Sequence, residues 1–161
     1  MASTVQPDPK FMRMAIDLAT ENVRSGKGGP FGAVVVRNGE VIAAAANSVT
    51  STNDPTAHAE VNAIRAACRN IESFQLDECD VYTSCEPCPM CLAALYWSRC
   101  RTIFYGNTKS DAAAAGFDDS FLYDEVKRPI EERRIPFQQV LGDEAIESFD
   151  VWKQSSERID Y

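Results

Sequence analysis

The stretch NDPTAHAEVNAIRAAC, residues 53–68, contains His58, the single histidine of this 161-residue chain, and Glu60 two positions later. Imidazole is a common zinc ligand, and a carboxylate can carry protons during catalysis. Asp54 or Thr56 is suited to cap a helix that begins here. Because side chains of a first helical turn tilt toward the N-terminus, we expect His58 and Glu60 to converge beyond the helix tip.

A second stretch suited to chemistry is SCEPCPMC, residues 84–91, in which Cys88 and Cys91 form a C-x-x-C pair. If a helix begins near Pro89, both sulfurs lie on one side of its first turn, where the helix N-terminus stabilises thiolates. The pair alone is compatible with half of a zinc site, with a redox pair or with chance. Cys85, three residues earlier, is a conceivable further ligand on spacing.

The two stretches together indicate a metal centre. Two helix tips that meet head to head would bring His58, Cys88 and Cys91 around one Zn²⁺ and leave a fourth tetrahedral position open, as in catalytic sites. A redox pair explains neither His58 nor Glu60, and a structural zinc site needs a fourth ligand, for which only Cys85 is nearby. The ligand types favour zinc over iron. H-x-E followed by P-C-x-x-C is the signature of zinc deaminases.

The elements that must position these residues alternate in type along the chain. An apolar stripe of helical spacing predicts a helix over 8–25 with Asp8 as its cap, and Asn38-Gly39 between two apolar runs predicts a hairpin over 31–47. The other predicted elements are helices at about 56–70, from Pro89 to before Arg101 and at 143–156, and strands at 79–84, 101–106 and 134–141. This order predicts an α/β fold of three layers, α/β/α, with helices flanking a mixed five-stranded sheet.

Length and composition predict one globular domain over residues 1–161, with residues 1–9 disordered. The sequence has no run of about 18 apolar residues and no recognisable signal peptide, so we expect no membrane association and a cytoplasmic location. The six cysteines are then expected to be reduced. The net charge of −8 disfavours a nucleic-acid partner, because such proteins usually carry a basic face.

The motifs PFGAVVV, NDPTAHAEVNAIR, SCEPCPMC and AGFDDSF resemble the cytidine-deaminase-like superfamily and, more closely, the short bacterial-type guanine deaminases. The resemblance implies a hydrolase of purine catabolism that converts guanine to xanthine and ammonia. It implies one Zn²⁺ held by His58, Cys88 and Cys91. Glu60 would be the proton shuttle, taking a proton from the attacking water and returning it to the ring nitrogen.

Further site residues are implied by the same resemblance. Asp119, in the GFDD motif, would be a second shuttle that serves the leaving amino group, with a loop cap as the ordinary alternative. Phe31 would stack on the purine or else pack in the core. Asn47 would hydrogen-bond the base or else serve a turn. Ala59 is a further expected substrate-binding residue.

The resemblance also implies a homodimer in which the C-terminal segment, residues 143–161, is exchanged between protomers. Tyr161 would then lie over the partner's active site, where its ring and terminal carboxylate could touch the substrate. The ending VWKQSSERIDY agrees with this prediction, because an isolated aromatic residue is unusual in a frayed tail.

Other functions remain compatible with the signature. A tRNA adenosine deaminase shares the fold and the zinc site but needs a basic groove for its RNA. Deamination of a nucleoside or of cytosine is a nearer alternative, although a free-base pocket closed by the partner's tail would leave no room for ribose. A zinc-binding interaction module without catalysis belongs to another class of protein, and it has no need of Glu60, so that residue favours an enzyme.

Overall fold

The structure, a computed structural model, describes residues 5–161. Two compact units divide the chain, the first ending at Ser120 and the second spanning Phe121–Tyr161. The single domain expected for the whole chain stays a prediction. The disorder expected for residues 1–9 falls partly outside the described residues, and Asp8 and Pro9 already belong to the start of the first helix. Among the helices of residues 5–161, none has the length and apolar composition that a membrane crossing requires.

A four-stranded mixed sheet is the framework of the first unit, with the strand order β2-β1-β3-β4. Its strands are β1 (Gly32–Arg37), β2 (Glu40–Ala46), β3 (Cys79–Cys85) and β4 (Thr102–Asn107). Strand β1 pairs antiparallel with both β2 and β3, and β3 pairs parallel with β4. The predicted hairpin is confirmed, because Asn38 and Gly39 have φ values of 52° and 80°, as a tight two-residue hairpin turn requires.

Helices cover both faces of this sheet, which confirms the predicted α/β/α layering. The helices of the first unit are α1 (Pro9–Arg24), α2 (Val49–Thr52), α3 (Ala59–Asn70), α4 (Pro89–Ser98) and α5 (Lys109–Ala114). Adjacent strand residues point to opposite faces, so Val34 packs with Ala15 of α1, while Val35 packs with Ala63 of α3 and Leu95 of α4. The face that carries α3 and α4 therefore holds both predicted ligand stretches.

Helix α1 is tied closely to the sheet. Asp8 caps it as predicted, since its side chain accepts the N–H of Lys10 at 2.9 Å. The N–H of Asp8 donates to the hydroxyl of Tyr82 on β3 at 3.0 Å. At Gly32 a Cβ atom would lie 2.3 Å from the carbonyl oxygen of Ala15. Helix α1 thus packs against β1 at a distance that only glycine permits.

The second unit contains little packed interior of its own. Its elements are α6 (Ser120–Lys127, which begins at the last residue of the first unit), a 3₁₀ turn at Ile130–Glu132 and α7 (Gly142–Gln154). The helix predicted at 143–156 is thereby confirmed with slightly different bounds. Within Phe121–Tyr161 no residue is buried. The exposed apolar side chains of this unit include Ile135, Phe137, Val140, Ile146, Phe149 and Trp152.

The strand predicted at 134–141 is wrong, so the sheet has four strands and not five. Pro136 has no N–H to donate to a ladder, and the side chains of Ile135, Phe137 and Val140 are exposed. Alternating apolar residues indicate a preference for an extended backbone, but a strand also needs a neighbouring edge to pair with. Residues 134–141 pair with no strand among the described residues.

Candidate metal centre and active site

The metal-ligand candidates lie at two helix N-termini, as the sequence predicted. His58 is the N-cap residue of α3 and Cys88 is the N-cap residue of α4, and neither side chain caps its own helix. The cap predicted for α3 is wrong. Asp54 instead accepts the N–H and the hydroxyl of Thr56, at 2.8 and 2.7 Å, in the turn before the helix. Since α3 begins only at Ala59, the imidazole occupies the place of a capping group.

His58, Cys88 and Cys91 form a compact cluster whose ligand atoms all lie within 4.8 Å of one another. The Nδ1 atom of His58 lies 3.6 Å from Sγ of Cys88 and 3.4 Å from Sγ of Cys91. Tetrahedral bonds of about 2.0 Å to nitrogen and about 2.3 Å to sulfur place a nitrogen and a sulfur ligand about 3.5 Å apart. The three residues therefore fit Zn²⁺ and can form a zinc site.

Hydrogen bonds within the cluster favour a thiolate. A bond from the Cys91 thiol, together with one from His58, lowers the pKa of Cys88 to about 4 even though burial opposes this shift. The contact with the Cys88 sulfur raises the pKa of His58 and that of Cys91. Because the thiolate is the form of cysteine that binds a metal, the chemistry of the cluster agrees with its geometry.

Cys85 does not belong to the cluster. Its Sγ donates to the carbonyl oxygen of Thr108 at 3.7 Å. Burial raises the pKa of the Cys85 thiol to about 11, so the group stays protonated near neutral pH. Cys85 is thereby excluded as a fourth ligand, and among residues 5–161 the group that could hold a metal ion consists of His58, Cys88 and Cys91. Three protein ligands with one open position are typical of catalytic zinc.

Glu60, in the first turn of α3, is buried beside the cluster with only 5% of its surface exposed. Its Oε2 atom lies 3.4 Å from Sγ of Cys91, and its Oε1 atom accepts a hydrogen bond from the hydroxyl of Thr83 at 3.3 Å. Burial raises the pKa of this carboxyl group. A carboxyl group with a raised pKa beside a metal-ligand cluster is suited to exchange protons.

Asp119 is half-buried and lies within electrostatic range of the same cluster. Partial burial, followed by the negative charge on Cys88, raises the pKa of its carboxyl group. Its neighbour Asp118 instead caps a turn by accepting the N–H of Ser120 at 2.9 Å. The capping role considered for Asp119 is thus filled by Asp118, and the shuttle role of Asp119 stays a prediction.

Two predicted base-binding residues lie close to the loop that precedes β1. Phe31 is half-buried and meets the ring of Phe117 edge-on, with the centroids 5.0 Å apart. Asn47 is buried, and its Oδ1 atom accepts the N–H of Gly29 at 3.4 Å and that of Val49 at 3.2 Å. Two backbone donors on the oxygen fix the orientation of the Asn47 amide group.

The two remaining predicted binding residues differ in exposure. Ala59 begins α3 and is completely buried in the core cluster, backbone included. Tyr161 ends the second unit with an exposed side chain. Both assignments stay predictions.

Sequence reasoning missed two buried polar residues that support this region. Asn22 of α1 donates through Nδ2 to the carbonyl oxygens of Gly29 at 2.9 Å and of Asn47 at 2.8 Å. Thr83 of β3 contacts Glu60. Each residue is a polar group at a position whose periodicity predicts burial, and buried polar groups usually have a specific hydrogen-bond partner. A polar residue at a position predicted to be buried is therefore the sequence signal that could have identified Asn22 and Thr83.

Comparison with known proteins identifies the family. The family model of the cytidine and deoxycytidylate deaminase zinc-binding region matches residues 5–107. The chain belongs to this deaminase family. The matched range contains His58, Glu60, Cys88 and Cys91 and ends with β4. The zinc-binding deaminase domain therefore covers the first unit of the fold up to residue 107 and leaves out residues 108–120.

Individual relatives differ in how much of the chain they match. This deaminase is 54% identical to guanine deaminase of Bacillus subtilis (strain 168) over 94% of the chain and 97% of the relative. It is 41% identical to a tRNA-specific adenosine deaminase of Aquifex aeolicus (strain VF5) over 59% of the chain and 62% of the relative. The likeness to the guanine deaminase therefore extends into the second unit.

Solved structures of guanine deaminases also match this chain, to different extents. The X-ray structure of guanine deaminase from Bacillus subtilis matches with a TM-score of 0.94 at 52% identity, over 97% of this chain and 99% of that one. A guanine deaminase from Nitrosomonas europaea matches with a TM-score of 0.67 at 31% identity, over 73% of this chain and 68% of that one. The three-layer fold of the deaminase family is thus shown for this chain.

Proposed function

We propose that this chain is a zinc-dependent guanine deaminase, which hydrolyses guanine with one water to xanthine and ammonia. The observation that carries the proposal is the position of Glu60, buried with a carboxylate oxygen 3.4 Å from Sγ of Cys91 in the cluster that fits zinc. The identity of 54% to the Bacillus subtilis guanine deaminase over 94% of the chain supports the choice of guanine over other bases.

His58, Cys88 and Cys91 would hold the metal ion. When bound, Zn²⁺ supplies Lewis-acid activation of the attacking water. Glu60 takes a proton from that water and delivers it to the ring nitrogen next to the carbon under attack. Its burial excludes competing solvent from this transfer. Asp119 then carries the proton of the newly added hydroxyl group to the exocyclic amine, so that the carbonyl forms as the bond between carbon and nitrogen breaks and neutral ammonia leaves.

The base is held by residues around the loop before β1. Phe31 offers an aromatic face for stacking, and Asn47 has an amide whose orientation is fixed by the N–H groups of Gly29 and Val49. A fixed amide can discriminate between hydrogen-bond donors and acceptors on a purine edge. Ala59, at the start of α3, is the remaining proposed substrate-binding residue.

The working form is proposed to be a homodimer in which residues 143–161 cross to the partner and bring Tyr161 to its active site. Support comes from the second unit, in which no residue of Phe121–Tyr161 is buried although many are apolar. Burial of such apolar surface by another chain is favourable, because it removes the surface from water. The location is proposed to be cytoplasmic, because all six cysteines are free thiols and reduced thiols are typical of that compartment.

Ammonia release from a panel of substrates tests the proposal. The panel contains guanine, guanosine, adenine, cytosine, cytidine and a tRNA anticodon stem-loop, assayed with protein of known zinc content. We expect about one zinc per chain and ammonia from guanine alone or from guanine best, with xanthine as the second product. Preferred turnover of the stem-loop would identify a tRNA deaminase, and zinc without turnover of any substrate would identify a binding module.

A further inference from the structure

The hydroxyl group of Thr83 is a polar neighbour of Glu60 that the proposed mechanism does not use. Thr83 lies on β3 with 1% of its surface exposed, and its Oγ1 atom is 3.3 Å from Oε1 of Glu60. We infer that Thr83 is a positioning residue that fixes the Glu60 carboxyl group with Oε2 toward the zinc ligands. This inference rests on the proposed function of Glu60 as a proton carrier.

The two carboxylate oxygens of Glu60 have different neighbours. Oε1 accepts from Thr83, and Oε2 lies 3.4 Å from Sγ of Cys91, a member of the zinc-ligand cluster. A glutamate side chain has three rotatable bonds, so burial alone does not decide which oxygen faces the ligands. The hydroxyl group of Thr83 makes that choice, because one oxygen must turn toward β3 to receive its proton.

A hydroxyl group suits a carboxyl group that alternates between two protonation states. It can donate one proton and also accept, and the Thr83 oxygen has a second acceptor in reach, the carbonyl oxygen of Cys85 at 3.0 Å. When Glu60 is a carboxylate, Thr83 donates to Oε1. When Glu60 holds the proton on Oε2, the oxygen that faces the zinc ligands, Oε1 is the carbonyl oxygen of the acid and still accepts from Thr83. The contact therefore persists through both halves of the reaction.

Removal of the hydroxyl group at constant shape tests this role, with the neighbouring Ser84 as a matched control. Thr83→Val should lower kcat for guanine about ten- to a hundredfold, because small displacements of a reacting group have effects of this size, while KM and zinc content stay unchanged. Ser84 is equally buried, but its hydroxyl group accepts the N–H of Gly32 at 3.0 Å on the opposite face of β3. Ser84→Ala should leave kcat within about twofold of the wild type, since no reacting group is displaced.

Two further variants separate positioning from general packing. Thr83→Ser retains the hydroxyl group and should recover most of the lost kcat. In a chain that already carries Glu60→Gln, Thr83→Val should cause no additional loss, because a positioning residue acts only through the group it positions. Independent, multiplicative losses in the double variant, or equal losses in Thr83→Ser and Thr83→Val, would overturn the inference.

A crystal structure of the zinc-loaded Thr83→Val protein gives a readout that does not depend on turnover. We expect the Glu60 carboxyl group to rotate or to occupy several positions, with the zinc ligands unmoved. A Glu60 side chain in its original place would refute the positioning role even if kcat for guanine were lowered. A wild-type chain that releases no ammonia from guanine would refute the proposed function, and the crystallographic comparison would still decide the role of Thr83.

Discussion

His58 and Cys88 occupy the same position in two helices whose N-termini meet. Their backbone angles are nearly equal, with φ and ψ of −68° and 156° for His58 and of −66° and 167° for Cys88. Because neither side chain caps its own helix, the imidazole and the thiol are free to approach each other to 3.6 Å. The N–H groups of both first turns favour negative charge, which stabilises the thiolates that a metal ion needs.

Two cysteines three residues apart should differ sharply in their importance for metal binding. Cys88→Ser should reduce the metal content from about one zinc per chain to a small fraction, because a serine hydroxyl does not replace a thiolate. Cys85→Ser is the matched control and should retain zinc, since the Cys85 thiol points to the carbonyl of Thr108. Elemental analysis of the purified proteins checks both. Equal zinc contents in the two variants would contradict the assigned ligand set.

Glu60→Gln should separate metal binding from proton transfer. The amide has the same shape as the carboxyl group but cannot carry a proton, so kcat for guanine should fall by about a hundredfold or more. Zinc content should remain that of the wild type, because Glu60 is not a ligand. The measurements are steady-state kinetics and elemental analysis on one preparation. Retention of most turnover would show that another group carries the proton.

The metal cluster could be predicted from sequence because its information is local. The H-x-E and C-x-x-C spacings place each pair of side chains in one helical turn. If His58 and the two cysteines bind one metal ion, the two turns must lie close together. The start of α3 was misplaced for a local reason as well. Asp54 and Pro55 are good helix-start residues, but Asp54 satisfies its hydrogen bonds within a turn around Thr56.

Features that depend on long-range pairing could not be predicted in the same way. Residues 134–141 have the composition of a strand, yet composition does not show whether a neighbouring edge is available. The contact of Thr83 with Glu60 joins residues 23 positions apart in sequence, and only the packing of α3 on the sheet brings them together. Asn22 and Asn47, 25 positions apart, illustrate the same limit.

Substitution of each of two adjacent aspartates, Asp118 and Asp119, should distinguish a catalytic carboxyl group from a structural one. Asp119→Asn should lower kcat for guanine by about tenfold to a hundredfold, because the amide cannot pass a proton to the leaving amine. Asp118→Asn is the matched control, since Asp118 accepts the N–H of Ser120 and an amide oxygen can accept that bond too. Its activity should equal that of the wild type. Equal losses in both variants would indicate that the loop needs both charges only for its structure.

The close packing of α1 on β1 predicts a stability effect at Gly32. A Cβ atom there would lie 2.3 Å from the carbonyl oxygen of Ala15, so Gly32→Ala should lower the free energy of unfolding by about 1–3 kcal/mol. For a chain of this size that corresponds to several degrees in Tm. Gly29→Ala is the control, because the nearest atom to its Cβ would be a ring carbon of Phe31 at 3.4 Å. Thermal unfolding followed by circular dichroism decides whether the two variants differ.

The C-terminal residues should matter for turnover and not for metal binding. Deletion of Ile159–Tyr161 should lower the activity on guanine, because the proposed cover of the active site is lost, while the zinc content stays the same. Tyr161→Phe retains the aromatic ring and should remain close to the wild type. Unchanged kinetics after the deletion would dispose of the proposed contact with substrate.

Mixing two impaired chains tests whether the tail acts on its own site or on the partner's. The Glu60→Gln chain has an intact tail, and the chain lacking Ile159–Tyr161 has an intact Glu60. If tails cross, a mixed dimer contains one site with a functional Glu60 and a tail from its partner. Each mixed dimer formed when the two chains are refolded together should therefore have up to about half of the activity of a wild-type dimer. If each tail serves its own chain, every site lacks one component, and the mixture is no more active than its parts measured separately.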